Sequence, residues 1–249
     1  MIVAANPSPM TLDGTRTYLI GTGRVAVIDP GPRLDDHQNA VADAVGSGVV
    51  AFVLVTHSHP DHAEGAASLA DRLHTRVRSA VTRTLHDGDI IATDAGAVQA
   101  IATPGHTPDH FAFWWERERA IFCGDLLMGG METALVARPE GELAQYLASL
   151  RLLKSLRPRT LYPAHGPQFD DADAAIERYV AHREDRIVQV LEGLKDGPLP
   201  AEALLDQIYG SALDPRLRHY AETAIEAYLA YLRAENRVRE SASGVWSLI

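Results

Sequence analysis

Thr56-His57-Ser58-His59-Pro60-Asp61-His62 stands directly behind residues 49–55, a nearly unbroken apolar run. Such a run predicts a strand buried on both faces. The following loop throws His57 and His59 forward, and a helix start displaces Asp61 and His62 from that first pair. Three imidazoles and a carboxylate so close together suit a borderline transition metal that takes N and O donors, such as zinc. Four ligands in this arrangement cannot comfortably saturate one tetrahedral ion. Two adjacent ions are the natural reading.

Working outward, three more turns each place one ligand type behind an apolar strand: Thr103-Pro104-Gly105-His106, Phe122-Cys123-Gly124-Asp125 and Tyr162-Pro163-Ala164-His165-Gly166. Small or rigid residues beside each one let the backbone approach a crowded site. Seven ligands then serve two ions: His57, His59 and His106 the first, Asp61, His62 and His165 the second, with Asp125 bridging. A shared carboxylate offsets the repulsion of cations ~3.5–4 Å apart. The alternative is a surface histidine cluster, which the three added turns disfavour.

The rest of the chain supplies alternating elements. Residues 15–20 and 24–28 flank Gly21-Thr22-Gly23 as a hairpin, and 35–45, 63–73 and 140–156 have helical spacing. Strands are expected at 89–92, 98–102, 111–115, 120–122 and 160–162. Two strand-rich halves with helices predict an α+β fold, its sheets packed face to face with helices outside. From Ala174 strands give way to three helices and a short two-stranded wing at 237–239 and 245–248, a winged-helix outline. The expected division is a catalytic domain over 1–173 and a winged-helix-like module over 174–249.

Composition narrows the function classes. The 249 residues are 46% hydrophobic and carry a net charge of -10, which argues against a broad nucleic-acid footprint. Residues 176–249 hold nine Lys/Arg against twelve Asp/Glu, and the third helix, around Ala221, offers no base-reading cation. No apolar run approaches the ~20 residues of a membrane span. The first residues lack a basic stretch and carry Pro7 and Pro9, so no secretion signal is expected. The single cysteine, Cys123, excludes an internal disulfide and fits a reducing, cytoplasmic setting.

The ligand string and its three turns resemble the metallo-β-lactamase superfamily of dinuclear metal hydrolases, across roughly residues 10 to 170. The resemblance implies a four-layer αββα sandwich with the site at the sheet edges and the seven residues above as metal ligands. It also implies that Asp29, in Val27-Ile28-Asp29-Pro30-Gly31, supports the metal loop from behind. The stretch from Pro139-Glu140-Gly141 to Leu150, the His182-Arg183 region and the C-terminus resemble the subgroup called β-lactamase-like protein 2. Arg16 departs from the family pattern, where many relatives carry Asn.

The expected chemistry is hydrolysis by a hydroxide shared between two divalent ions, zinc first and iron or manganese also suited, with no organic cofactor. Asp61 and Asp125 orient the nucleophile. His110 is a candidate proton donor or substrate contact, weighed against a loop-buttressing role. Cys123 and Tyr162 read as packing residues, Met128–Met131 as a pocket wall, and His37, His74, His86, His182 and His219 as surface histidines. The expected substrate is a small ester, thioester or lactone. The rivals are single-stranded RNA cleavage, β-lactam hydrolysis and, last, a DNA-binding metal sensor. No membrane partner is expected, and oligomeric state is open.

Overall fold

The computed structural model describes residues 1–131, 133–210 and 213–249. The hairpin reading holds: β2 (Arg16–Ile20) and β3 (Arg24–Ile28) pair antiparallel, with the two-residue β1 (Ile2–Val3) outside β2. β4 (Val49–Leu54) then joins β3 in parallel, which requires a crossover, and α1 (Asp35–Val45) supplies it. β5 (Val77–Arg78) completes a sheet of order β1-β2-β3-β4-β5. In β4 Val53 packs outward with Val41 of α1, while Leu54 packs inward against the second sheet, so the run is buried on both faces.

The helix expected over 63–73 is two pieces, α2 (Pro60–Ala63) and α3 (Ala66–Arg72). The break lies at Gly65, whose N–H donates to Gly31 O at 3.0 Å. A Cβ there would stand 2.9 Å from that same oxygen. The helix is interrupted where it presses on the loop behind β3.

The second sheet is built from β6 (Ile90–Thr93), β7 (Gly96–Ala102), β8 (Phe111–Trp115), β9 (Ala120–Gly124) and β10 (Thr160–Pro163). Its order is β10-β9-β8-β7-β6, with β10 and β9 parallel and the other pairs antiparallel. Between the sheets Tyr18, Ile28 and Leu54 meet Ile91, Phe113 and Phe122 in one apolar layer. Along β9 the side chains alternate: Phe122 faces this layer, whereas Ile121 and Cys123 face the opposite core. β7, β9 and β10 run in one direction, so their C-terminal ends share an edge.

On that opposite side α4 (Leu143–Ser155) and α5 (Ala172–Gly193) cover the second sheet. Glu142 caps α4 by accepting from Ala144 N and Gln145 N, and Asp171 caps α5 through Ala174 N. The core continues without interruption into α6 (Ala201–Tyr209) and α7 (Arg218–Ala234), where Leu204, Ile225, Tyr228 and Leu232 join it. A third sheet ends the chain: β11 (Leu199–Pro200) and β12 (Val238–Glu240) both pair antiparallel with β13 (Val245–Leu248). Sequence reading anticipated β12 and β13 but not β11, β1 or β5. Two-residue strands carry no periodicity to detect. Among the described residues no helix is long and apolar enough to cross a membrane.

Candidate metal centre

Five strand ends deliver the site. β3 ends at Asp29, β4 at Thr56 and His57, β7 at the turn carrying His106, β9 at Asp125 and β10 at the turn carrying His165. The structure brings all seven named ligand candidates together. His57, His59, His106 and Asp125 form one group, and Asp61, His62 and His165 a second, with donor atoms of a group within 4.8 Å of one another. Asp125 faces both. Its Oδ1 lies 3.4 Å from His62 Nε2 and 3.3 Å from His165 Nε2, while its Oδ2 lies 3.7 Å from His106 Nε2.

The outward ring nitrogens are all committed to oxygen acceptors. His106 Nδ1 donates to Leu135 O at 2.7 Å, His165 Nδ1 to Gly14 O at 3.3 Å, and His59 Nε2 to Glu140 Oε2 at 3.0 Å. His62 Nδ1 donates to Asp29 Oδ2 at 3.0 Å. The Thr56 hydroxyl gives its proton to Asp29 Oδ2, so the bond between Thr56 Oγ1 and His57 Nδ1, 3.1 Å, must take its proton from the imidazole. The inward nitrogens of the first group are therefore lone pairs. His59 Nδ1 stands 2.9 Å from His57 Nε2 and 3.2 Å from His106 Nε2. Facing lone pairs at such distances call for a cation between them. In the second group His62 Nε2, His165 Nε2 and Asp125 Oδ1 are buried without a hydrogen-bond partner. Buried polar atoms are rarely left so. The donor set fits divalent metal ions.

Electrostatics separate the two groups. Burial holds His57 and His106 below the ordinary imidazole range, with neighbouring imidazoles adding to the effect. Burial acts the same way on His62 and His165, but carboxylates outweigh it, Asp125 and Asp29 around His62 and Asp125 and Asp61 around His165, and both rings are pushed up. Burial opposes the charge of Asp61, yet the His165 and His62 rings, whose Nε2 atoms stand 3.2 and 3.4 Å from its Oδ2, hold its carboxyl well below the usual range.

Asp29 is the post behind the ligands. Its Oδ1 accepts Thr56 N at 2.8 Å and its Oδ2 accepts both Thr56 Oγ1 and His62 Nδ1. Asp29→Asn would turn an amide N–H toward one of these donors. It is expected to weaken metal affinity ~10–100-fold, measured by competition with a chelating dye; wild-type affinity would refute this support.

His110, the candidate proton donor, lies behind the cluster. It is buried, its Nε2 accepts the backbone N–H of Asp125 at 3.3 Å, and its Nδ1 pairs with Thr103 Oγ1 at 2.9 Å. Both of its nitrogens are engaged, one of them by the backbone of Asp125. His37, expected at the surface, is instead buried, donating through Nε2 to the Thr17 hydroxyl, which in turn donates to Asp29 O. His182 is half-buried, while His74, His86 and His219 are exposed. Tyr162 stacks on Phe122 in the layer between the sheets, and Cys123 is buried, its thiol pushed up by burial. Arg16 is spent on a two-pronged bond to Asp13, 2.8 Å at each prong.

Above the cluster opens a cleft of about 310 Å³. His59, Asp61, His106 and Asp125 form its floor, the 135–140 loop one wall and the first turns of α7, with His219, Tyr220 and Thr223, another. Arg138 N donates to Thr223 O at 3.2 Å and ties the two walls together. Sequence reasoning missed this wall and the Glu140–His59 bond, which joins residues 81 apart. Met128 lines the cleft as expected.

Comparison with known proteins finds relatives of this chain. A family model described as the Metallo-beta-lactamase superfamily matches residues 10–83 and 76–165. A Caenorhabditis elegans protein named Beta-lactamase-like protein 2 homolog is 32% identical over 212 residues, covering 78% of this chain and 70% of its own. An Aspergillus fumigatus protein named Atrochrysone carboxyl ACP thioesterase is 30% identical over 258 residues, covering 94% of this chain; the chain spans only 60% of that relative. Among solved structures, a metallo-beta-lactamase family protein from Thermus thermophilus superposes with a TM-score of 0.76 at 24% identity, covering 100% of this chain and 97% of the other. A Beta-lactamase domain protein from Burkholderia ambifaria gives 0.80 at 20% identity, with 98% and 89% covered.

Proposed function

The chain belongs to the metallo-β-lactamase superfamily, and from that premise we propose that it is a dinuclear metal-dependent hydrolase of a small ester, thioester or lactone. The observation that carries this is the Asp125 carboxylate, which turns one oxygen to each group of inward nitrogens. His57, His59 and His106 would hold the first ion, Asp61, His62 and His165 the second, and Asp125 both. Zinc is the proposed ion, although iron and manganese suit the same donors. Two such ions would supply a water whose pKa falls from 15.7 toward ~7 and would polarise the carbonyl to be attacked.

The chain's own residues do the rest. Asp61 and Asp125 stay ionised and line the floor of the cleft, where they accept hydrogen bonds from the attacking water and orient it. For a thioester, the water oxygen bonds to the acyl carbon, the C–S bond breaks, and its electron pair leaves on sulfur. The products are a carboxylate, a thiol and one proton. Arg138 at the rim, without a side-chain partner among the described residues, gives an otherwise acidic protein a positive point for an anionic leaving group. Residues 1–173 are proposed as the catalytic domain and 174–249 as a winged-helix-like module. Its role would be to wall the cleft with α7, sharing the core that α5 spans.

The deciding experiment sets the metal-analysed protein against esters, thioesters, lactones, a chromogenic β-lactam and single-stranded RNA side by side. Turnover of an acyl substrate at substoichiometric enzyme is expected; cleavage of RNA or the β-lactam alone would displace this reading.

Acidification should strip the two ions separately. Protons hold His62 and His165 more tightly than His57 and His106, so they compete for the second ion at a higher pH. Metal content after dialysis across a pH series is expected to step from two equivalents to one before falling to none. Loss of both in one step would contradict the assignment.

A further inference from the structure

The cleft over the metal centre adjoins a second chamber. Met10, Met128, Leu135 and Tyr220 line both spaces. The chamber, about 200 Å³, lies between the 133–136 stretch and helices α5, α6 and α7. Its wall is largely apolar, and Ala221 and Ala224 of α7 keep it open by having no side chain beyond Cβ. At ~30 Å³ per water-sized group it has room for about six or seven non-hydrogen atoms.

Among the described residues its charge is lopsided. No Asp or Glu lines it among the described residues, whereas Arg183 and Arg186 both do, in a chain whose net charge is -10. Arg183 is buried, with Nη1 donating to the Tyr228 hydroxyl at 2.9 Å, Nη2 donating to Ala134 O, and its guanidinium 4.9 Å over the Tyr146 ring. Arg186 lies 4.3 Å over the Tyr209 ring and donates to Gln189 at 2.7 Å. Neither guanidinium meets a carboxylate among the described residues. A buried cation such as Arg183 attracts an anionic oxygen far more strongly than one in water, and the half-buried Arg186 adds a second positive charge beside it.

We infer that this chamber receives the acyl part of the substrate and selects an acyl group with an apolar body and an acidic oxygen, carboxylate or phenolate, at its far end. The inference rests on the hydrolase reading above and adds the substrate class. The scissile carbonyl sits over Asp61 and Asp125, the body passes Met128 and Leu135, and the distal oxygen meets the arginine end. Each methylene buried is worth ~4-fold in binding, so chain length counts until the chamber is full.

The test uses N-acetylcysteamine thioesters of acetyl, hexanoyl and adipoyl groups with the zinc-loaded protein. Hexanoyl is expected to exceed acetyl in kcat/KM by at least about tenfold, from its four added methylenes. Adipoyl should exceed hexanoyl by about tenfold, as a charge-assisted contact supplies. Ala224→Phe should bring the hexanoyl-to-acetyl ratio toward one, and Arg186→Gln the adipoyl-to-hexanoyl ratio. A second readout needs no catalysis: calorimetric titration of adipate and hexanoate into the metal-free protein should show tighter binding of adipate, and Arg186→Gln should erase the difference. Equal kcat/KM for all three thioesters, or unchanged ratios in both folded variants, would overturn the chamber and leave the hydrolase reading standing. No thioester turnover combined with preserved adipate selectivity would overturn that reading and leave the chamber.

Discussion

An Asp125→Ala chain is expected to lose at least one metal equivalent and to fall on the order of a thousandfold in kcat/KM, while keeping its fold. The loss corresponds to about 4 kcal/mol of transition-state stabilisation. Asp125 is the one residue whose two oxygens face different groups of imidazoles, so its removal deprives each group of a donor. It also takes away the negative charge that most favours the protonated forms of His62 and His165, leaving those rings poorer partners for each other and for Asp61. The fold should survive, because the side chain contacts the ligand cluster and not the apolar layers. Elemental analysis beside far-UV circular dichroism decides it. Wild-type metal content in a folded variant would rule out the shared carboxylate.

The second large effect is structural. Gly105→Ala should destabilise the protein by about 2–5 kcal/mol and displace His106, combining an overpacking cost with a strained backbone. Gly105 has φ +134°, and a Cβ there would stand 2.3 Å from the backbone N and Cα of Tyr146. Tyr146 cannot retreat: its ring is fully buried and its hydroxyl donates to Leu126 O at 2.6 Å. The strain therefore passes to the turn, which carries the Glu142 N–H on Gly105 O at 2.9 Å and His106 beside it. Chemical denaturation and metal content should fall together. A variant of unchanged stability would show that α4 can shift away from the turn.

Much of this centre could be read from the chain because its donors obey a local grammar. The apolar run before Thr56 and the small residues beside His106, Asp125 and His165 each mark a strand that ends in a turn, and the structure gathers those ends on one edge. Asp29 was legible through the family pattern around it, and it does hold Thr56 and His62. What escaped depends on distant pairs. Glu140 reaches His59 across 81 residues, and His37 reaches Thr17 across 20, with nothing in either neighbourhood to announce the partner. His110 stood four residues beyond a ligand candidate, with nothing near it to announce that its partners are Thr103 and the backbone of Asp125. Arg183 belongs to the same class, a buried cation whose acceptors, the Tyr228 hydroxyl and Ala134 O, lie on other elements.

The last wall of the cleft comes from α7, whereas every donor has already been encoded by His165. The donors are thus all written before α5, whereas the lining above them is shared between residues 128–140 and the tail. Insertions, deletions or drift beyond α5 can reshape what is admitted without altering a single donor. Such a layout lets one reactive centre be refitted to new compounds by editing its tail.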